Sequence, residues 1–375
     1  MNITWADVRA FRLARQHLHR RAAPGELLEV VRDVCGIHAQ LQSAMELQIW
    51  ARVQGVGRKE IGSALWERRE LVRTWSMRGT LHVFAATDLP LYIGALSQHD
   101  RWWKGAWLRM IGMSEEELRA VLAAIKSSLG ARPLTRSELA EKVEKKVGTQ
   151  RGTLMLSGWG EMLKPAAFQG HLCSGPPRGQ SVTFVRPDRW LEDWAVPPPE
   201  QAWREIVRRY LSAYGPASRE EFGRWWGMAA APAGRALHAS GLELVEVEVE
   251  GYRGWILEED RSALGKLPQP PSLRLLPAFD VYVAGNRPRA SLVDPLLESL
   301  IFRKAGWISP VVVVDGAIAG VWKHELTGRR LEVTVTPFEG LGAKGRRFLC
   351  EEADRLGDFL GAPASVTFEG PSRQA

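Results

Sequence analysis

The chain has 375 residues, 45% hydrophobic and 25% charged, with a formal net charge of +7 and an isoelectric point near 9.5. That length exceeds one compact core and suits two to four modules. The composition excludes a disordered or fibrous chain, and no apolar run approaches the roughly 18 residues of a membrane-spanning helix. The N-terminal stretch carries Asp7, Arg9 and Arg12 without an apolar core, so it is not expected to act as a secretory leader. Cys35, Cys173 and Cys350 lie far apart, with no CxxC and no Cys/His cluster at zinc spacing. A reduced, cytoplasmic, monomeric protein with no metal and no cofactor is therefore expected. A basic chain without a membrane signal has nucleic acid as its leading polyanionic partner. Of the 16 tryptophans, Trp50 and Trp66 sit in apolar helical patterns and read as core. Trp102 and Trp103, after Arg101, could stack on bases.

In chain order, Val8, Phe11, Leu13 and Leu18 mark a first helix, and Leu27, Val30, Val31 and Val34 a second. Further helices are expected near 44–53 and 59–69, then a strand over Thr80–Phe84. Ser114 to Glu117 is a capping box opening a helix to about Leu129, and Thr135 to Glu138 opens another to about Val147. A third helix is expected near 152–167. Strand His171–Cys173, a Gly/Pro turn over 175–179 and strand Val182–Val185 follow. Helices followed by a two-stranded hairpin make a winged helix.

Pro197, Pro198 and Pro199 form a stiff linker, after which the pattern restarts. Helices are expected near 200–214, from a cap at Ser218 to Glu221, and over 232–239. Leu242–Val249 alternates like a half-buried strand and returns through Gly251 into Trp255–Leu257. Past Pro268 the composition shifts to strands near 273–276, 281–284, 307–314, 317–322 and 331–335, a helix near 345–360, and a strand at 364–368. Asp315-Gly316 between two apolar runs is a strong hairpin signal. The expected class is α+β: three tandem winged helices, 1–110, 111–196 and 197–262, then a C-terminal mainly-β domain, 263–375, with a hairpin.

Conventional catalytic signatures are missing: no GxSxG, no P-loop, no HExxH and no dinucleotide fingerprint. Gly55-Val56-Gly57 lacks a preceding strand and reads as a turn. Ile37-His38-Ala39-Gln40-Leu41-Gln42 alternates strictly. If extended, it turns Ile37, Ala39 and Leu41 to one side and His38, Gln40 and Gln42 to the other. On a helix the two glutamines would diverge by about 200°, so only a non-helical segment over 38–42 lets both amides meet at one point. The pattern alone also fits a polar loop edge between helices.

The run from Gly36 to Gln42, with Trp50-Ala51-Arg52 after it, resembles the helix-turn-helix family of AlkZ- and YcaQ-like DNA glycosylases. So do Arg73 to His82, Leu276-Pro277-Ala278-Phe279-Asp280, Gly306 to Pro310, and Val321-Trp322-Lys323. The resemblance spans almost the whole chain in order. It implies tandem winged helices with a C-terminal β-barrel, and a catalytic Gln-x-Gln at Gln40 and Gln42. Glutamine at both positions, rather than Gln-x-Asp, resembles the AlkZ branch, which acts on alkylated purines and can unhook interstrand crosslinks. The expected partner is then duplex DNA containing alkylated purines. His38 would share the glutamine face and touch phosphate or help hold water. Arg73 and Arg78 flank the first wing, Lys323 ends a strand of the Asp315-Gly316 hairpin, and Arg329 and Arg330 follow it. These six are the candidate DNA contacts.

Two non-catalytic readings compete. A winged-helix transcription regulator explains the repeats and the charge but not the glutamine pair or the large C-terminal domain. A protein-interaction scaffold requires exposed apolar patches and DNA binding indifferent to salt.

Overall fold

The computed structural model describes residues 3–148, 154–156, 160–266 and 272–370. In chain order the principal elements begin with helices α1 (Trp5–Arg15) and α2 (Leu27–Asp33), the short strand β1 (Ile37–His38), and helices α3 (Gln42–Arg52) and α4 (Arg58–Trp66). Hairpin β2 (Leu71–Trp75) and β3 (Leu81–Ala85) follows, then α5 (Leu89–Leu96), α6 (Gly105–Ile111) and α7 (Glu115–Ser128). Next come β4 (Leu134–Thr135), α8 (Arg136–Val147), α9 (Leu163–Phe168), β5 (Cys173–Arg178) and β6 (Ser181–Val185). Helices α10 (Pro199–Tyr214), α11 (Arg219–Trp226) and α12 (Ala230–Ala239) lead to hairpin β7 (Leu244–Val249) and β8 (Tyr252–Leu257). The chain ends with β9 (Leu273–Leu276), β10 (Val311–Val314), β11 (Ala317–Thr327), β12 (Arg330–Pro337), α13 (Gly342–Leu360) and β13 (Ala364–Phe368).

Contacts divide the chain into one unit of residues 1–61 with 207–375 and another of residues 62–206. In the first unit β9 to β13 form one sheet in the order β13-β12-β11-β10-β9, antiparallel except for β12 and β13, and β7 pairs with β8 as a separate hairpin. A parallel neighbour needs a crossover, which α13 supplies, laying Leu349, Ala353 and Leu356 into the sheet core. Among the described residues the sheet is open, ending at β9 and β13, rather than the closed barrel the resemblance implies. One reason is visible: its apolar side chains are already covered by α13.

The same core takes in Leu47, Trp50 and Ala51 of α3 with Leu13 and Leu18. The N-terminal segment is thereby built into the C-terminal sheet. Buried Arg12 adds to this by donating to the carbonyls of Gly215, Pro216 and Arg287. Arg21 is ion-paired to Glu352 on α13 at 2.5 Å.

The Asp315-Gly316 turn forms as expected, with both residues at positive φ, +48° and +81°, the geometry a two-residue hairpin demands. Other expectations shift. Residues 281–285 are a short helix capped by the Asp280 side chain, which accepts from the Tyr282 amide at 2.8 Å. Strand β10 begins only at Val311, after a turn at 304–306. Strand β11 continues to Thr327, so Lys323 lies within it, and a second hairpin turns between Thr327 and Arg330.

In the second unit both expected capping boxes are present, Ser114 with Glu117 and Thr135 with Glu138. Strands β4, β6 and β5 form a three-stranded sheet in that order, with α7 before β4 and α8 between β4 and β5. Its hairpin turns at 179–180, since β5 runs through the Gly/Pro stretch to Arg178. Of the helix expected at 152–167, part lies outside the described residues and the observed α9 spans 163–168. Trp75 of β2 stacks on Phe184 of β6 at 6.0 Å.

His171, just before β5, is held at a pKa of about 4, chiefly by burial and then by nearby Lys126, against an ordinary 6.5. Its folded pKa is depressed, so the unfolded chain binds the proton first and stability falls as pH drops from 6.5 toward 4. His171→Gln is expected to remove that part of the pH dependence of the thermal midpoint. Identical slopes in the two proteins would show that His171 contributes nothing to acid lability.

Among the described residues no helix is long and apolar enough to cross a membrane.

Candidate active site

Helix α2 stops at two successive residues of positive φ, Cys35 (+61°) and Gly36 (+92°). The Gly36 amide returns to the Val31 carbonyl at 2.9 Å, closing the helix end. The chain then runs through β1, bends at Gln40 and Leu41, where Leu41 keeps extended dihedrals (φ −109°, ψ 126°), and Gln42 opens α3. The segment is thus non-helical from 38 to 41, while Gln42, expected outside the helix, is its first residue.

Burial does not alternate along this segment. Ile37, His38 and Ala39 are all buried, and Gln40, Leu41, Gln42 and Ser43 are all exposed. The strict in-and-out pattern fails at two places. His38 lies beneath the Phe279 ring, stacked at 5.1 Å and 25°, and Leu41 is left 38% exposed at the helix entry. The structure therefore buries His38 against the loop at 276–280 instead of leaving it exposed as Gln40 and Gln42 are.

That support comes from 276–280, tied to α3 by three side chains. Gln48 donates to the His38 carbonyl at 2.9 Å and accepts from the Val281 amide at 3.2 Å. Arg52 and Asp280, both fully buried, form a two-pronged ion pair at 2.8 and 2.7 Å. Arg52 also donates to the Gln48 carbonyl. Phe279 holds its ring over His38 from a positive φ of +59°, and Trp307, 40% exposed, meets its edge at 4.8 Å. A surface groove beside Trp307 is lined by Phe302, Arg303 and Lys304. Trp322 of β11 donates its indole N–H to the Leu276 carbonyl at 2.8 Å.

The two glutamines differ in their surroundings. Gln42 donates through Nε2 to Glu46 Oε1 at 3.0 Å, one helical turn on. The other Glu46 oxygen, Oε2, accepts from Arg58 Nε at 2.7 Å. The Glu46 side chain is only 7% exposed, the Arg58 side chain 55%. Gln40 is exposed at a bend between β1 and α3. Two exposed amides on either side of Leu41, one with its N–H end committed to a carboxylate, can present carbonyl oxygens to a water or a developing cation.

The remaining candidates are spread over both units. In the first, Arg329 and Arg330 are exposed at the tip of the β11–β12 hairpin, and Lys323, also exposed, has Glu369 at 3.8 Å. In the second, Arg73 is half-buried on β2, where burial lowers its pKa, and Arg78 sits at positive φ in the β2–β3 turn. Among the described residues no three His, Cys, Asp or Glu cluster as metal ligands. Glu46 and Arg58 were not singled out from the sequence, and Phe279 and Trp307 entered only within stretches that carry the family resemblance, without a role. Of the two missed residues only Glu46 carried a signal, its spacing of four from Gln42, which is informative once α3 is known to begin there.

Comparison with known proteins gives a consistent result. The model of the family described as DNA glycosylase AlkZ-like matches residues 31–359. An interstrand DNA cross-link repair glycosylase of Streptomyces sahachiroi is 35% identical over 345 residues, covering 90% of this chain and 91% of the relative. The solved structure of the Streptomyces sahachiroi DNA glycosylase AlkZ aligns with a TM-score of 0.88 and 33% identity, covering 98% of this chain and all of that one.

Proposed function

The chain belongs to the family of AlkZ-like DNA glycosylases, and on that footing we propose that it releases cationic N7- or N3-alkylated purines from duplex DNA through Gln40 and Gln42, and unhooks interstrand crosslinks built on such purines. The observation that carries this reading is the exposed glutamine pair at the mouth of α3, with the Gln42 N–H end bound to Glu46. The relative from Streptomyces sahachiroi is described as a cross-link repair glycosylase, which supports the crosslink part.

The chemistry suits amides. Cleavage of an N-glycosidic bond passes through a sugar with oxocarbenium character, as in glycoside hydrolysis. A purine alkylated at N7 or N3 already bears positive charge and departs without a general acid. A glutamine does not titrate and is no true base. Its carbonyl can orient a water and oppose the positive charge of the sugar. Ordinary purines, being poorer leaving groups, stay in place. No lysine stands beside the motif in the sequence, the first being Lys59, so the reading is a monofunctional enzyme that leaves an abasic site rather than one that forms a Schiff base. Incubation with a duplex containing N7-methylguanine, followed by alkali, should cleave the strand at the lesion and leave unmodified guanine intact. An uncleaved lesion strand would favour a non-catalytic DNA-binding protein.

The finer architecture in this reading is three tandem winged helices before the C-terminal sheet, acting as a monomer without metal or cofactor. Its basic side chains, among them Arg73, Arg78, Lys323, Arg329 and Arg330, contact DNA phosphates. DNA affinity should then fall with salt by roughly one unit of log–log slope per phosphate neutralised. Arg329→Ala with Arg330→Ala should lower that slope by about two units. A slope near zero between about 50 and 200 mM salt would support the scaffold reading.

A further inference from the structure

We infer that Glu46, held by Arg58, is a positioning residue that fixes which end of the Gln42 amide faces the sugar. The inference rests on the catalytic reading of the glutamine pair. A glutamine side chain has two ends of nearly equal shape and opposite character, a carbonyl that only accepts and an NH₂ that only donates. Stabilising a sugar cation or holding a water by its proton requires the carbonyl end. An exposed glutamine at the first position of a helix has nothing in its own geometry to choose between the two.

Glu46 makes the choice. Lying four residues on, it shares the face of α3 that Gln42 occupies. Its Oε1 accepts from Gln42 Nε2 at 3.0 Å while its Oε2 is taken by Arg58 Nε at 2.7 Å. A carboxylate presents only acceptors, so turning the Gln42 carbonyl toward it would set two oxygens against each other at hydrogen-bond distance. One orientation of the amide remains, with the NH₂ on Glu46 and the carbonyl directed away from it. Arg58 comes from outside the helix, at the start of α4, and stops the carboxylate rotating. Glu46 is nearly buried, and its two oxygens meet a partner on either side. That arrangement differs from a solvated surface glutamate, and neither partner is needed to hold α3 in the core, which Leu47, Trp50 and Ala51 do.

The test separates this role from catalysis by Glu46 itself and from the glutamine reading on which it rests. Single-turnover excision of N7-methylguanine and DNA affinity would be measured for Gln42→Ala, Glu46→Gln, Arg58→Gln and the combined Gln42→Ala/Glu46→Gln. Glu46→Gln keeps the size of the side chain but offers either end to Gln42. The excision rate is expected to fall roughly 10- to 100-fold, the scale of a lost charge-assisted hydrogen bond and a misplaced group, with affinity unchanged. Arg58→Gln, at a side chain 55% exposed, should leave the thermal midpoint unchanged and lower the rate by a smaller factor. In the Gln42→Ala background, Glu46→Gln should cost nothing further, because no amide is left to orient. A wild-type rate in both Glu46→Gln and Arg58→Gln overturns the inference. So does an equal loss from Glu46→Gln with and without Gln42, which would make Glu46 an independent actor. A wild-type rate in Gln42→Ala alone removes the catalytic reading of that glutamine, and the inference with it.

Discussion

Asp280→Ala is expected to lower the stability of the protein by about 3–5 kcal/mol, the cost of leaving a buried charge without its partner. Arg52 and Asp280 are both inaccessible to solvent, and their two hydrogen bonds join α3 to the 276–280 loop. Removing the carboxylate strands the guanidinium in the interior and also removes the cap from the short helix at 281–285. Asp280→Asn keeps a hydrogen-bond acceptor and should lose less. Replacing both partners with apolar side chains of similar volume should recover much of the loss, since a buried pair contributes little net stability over a packed apolar pair. The urea midpoint of each variant reads this directly. A loss under about 1 kcal/mol for Asp280→Ala would mean that water reaches Arg52 and that the pair is not sealed. The consequence reaches the site, because Arg52 also braces Gln48, which holds the His38 carbonyl two residues before Gln40.

The second large effect concerns the glutamines. Gln40→Ala and Gln42→Ala are each expected to slow base release by about 10² to 10³, the usual loss for one positioned electrostatic group. DNA affinity should hardly change if, as proposed, it comes from the basic surface. The two losses need not be equal: Gln42 is held by Glu46, so its removal discards a group already in place. Gln42→Asp introduces a carboxylate beside Glu46, a second negative group one turn away, and like charges at that spacing repel. Retained activity in Gln42→Asp would show that the position tolerates a charged water-orienting group. Stopped-flow or quench measurement under single-turnover conditions separates the rate of release from binding.

Local chemistry was legible in the sequence and long-range contacts were not. The capping boxes at Ser114, Thr135 and Ser218 form as read, because a cap is decided within four residues. The Asp315-Gly316 turn forms because few residue pairs accept two positive φ angles. The start of α3 was misplaced because Leu41, at its N-cap, has no side chain that can cap. Strand β11 was cut short because Lys323 to Thr327 extend beyond the core and show no apolar alternation. The open sheet was read as a barrel by resemblance, since nothing local distinguishes a strand at an edge from one in a closed cylinder.

The candidate site was half legible. Gln40 and Gln42 stand out by their alternation, and their exposure keeps them available. The same alternation misled for His38, whose burial is imposed by Phe279, 241 positions away in a chain of 375. The Arg52–Asp280 pair spans 228 positions, and no periodicity in one sequence connects such residues. For the same reason the N-terminal segment looked like a module of its own, while its apolar face is completed by the C-terminal sheet.

The most direct test of the account is single-turnover release of N7-methylguanine from a duplex by the wild-type protein and by Gln40→Ala/Gln42→Ala together. The account predicts release by the wild type, and a double variant that binds the duplex with unchanged affinity but releases the base far more slowly. Its loss should be smaller than the product of the two single losses if, as proposed, both amides act on one water and one cation. Release at the wild-type rate by the folded double variant would contradict the account and place the chemistry elsewhere in the chain.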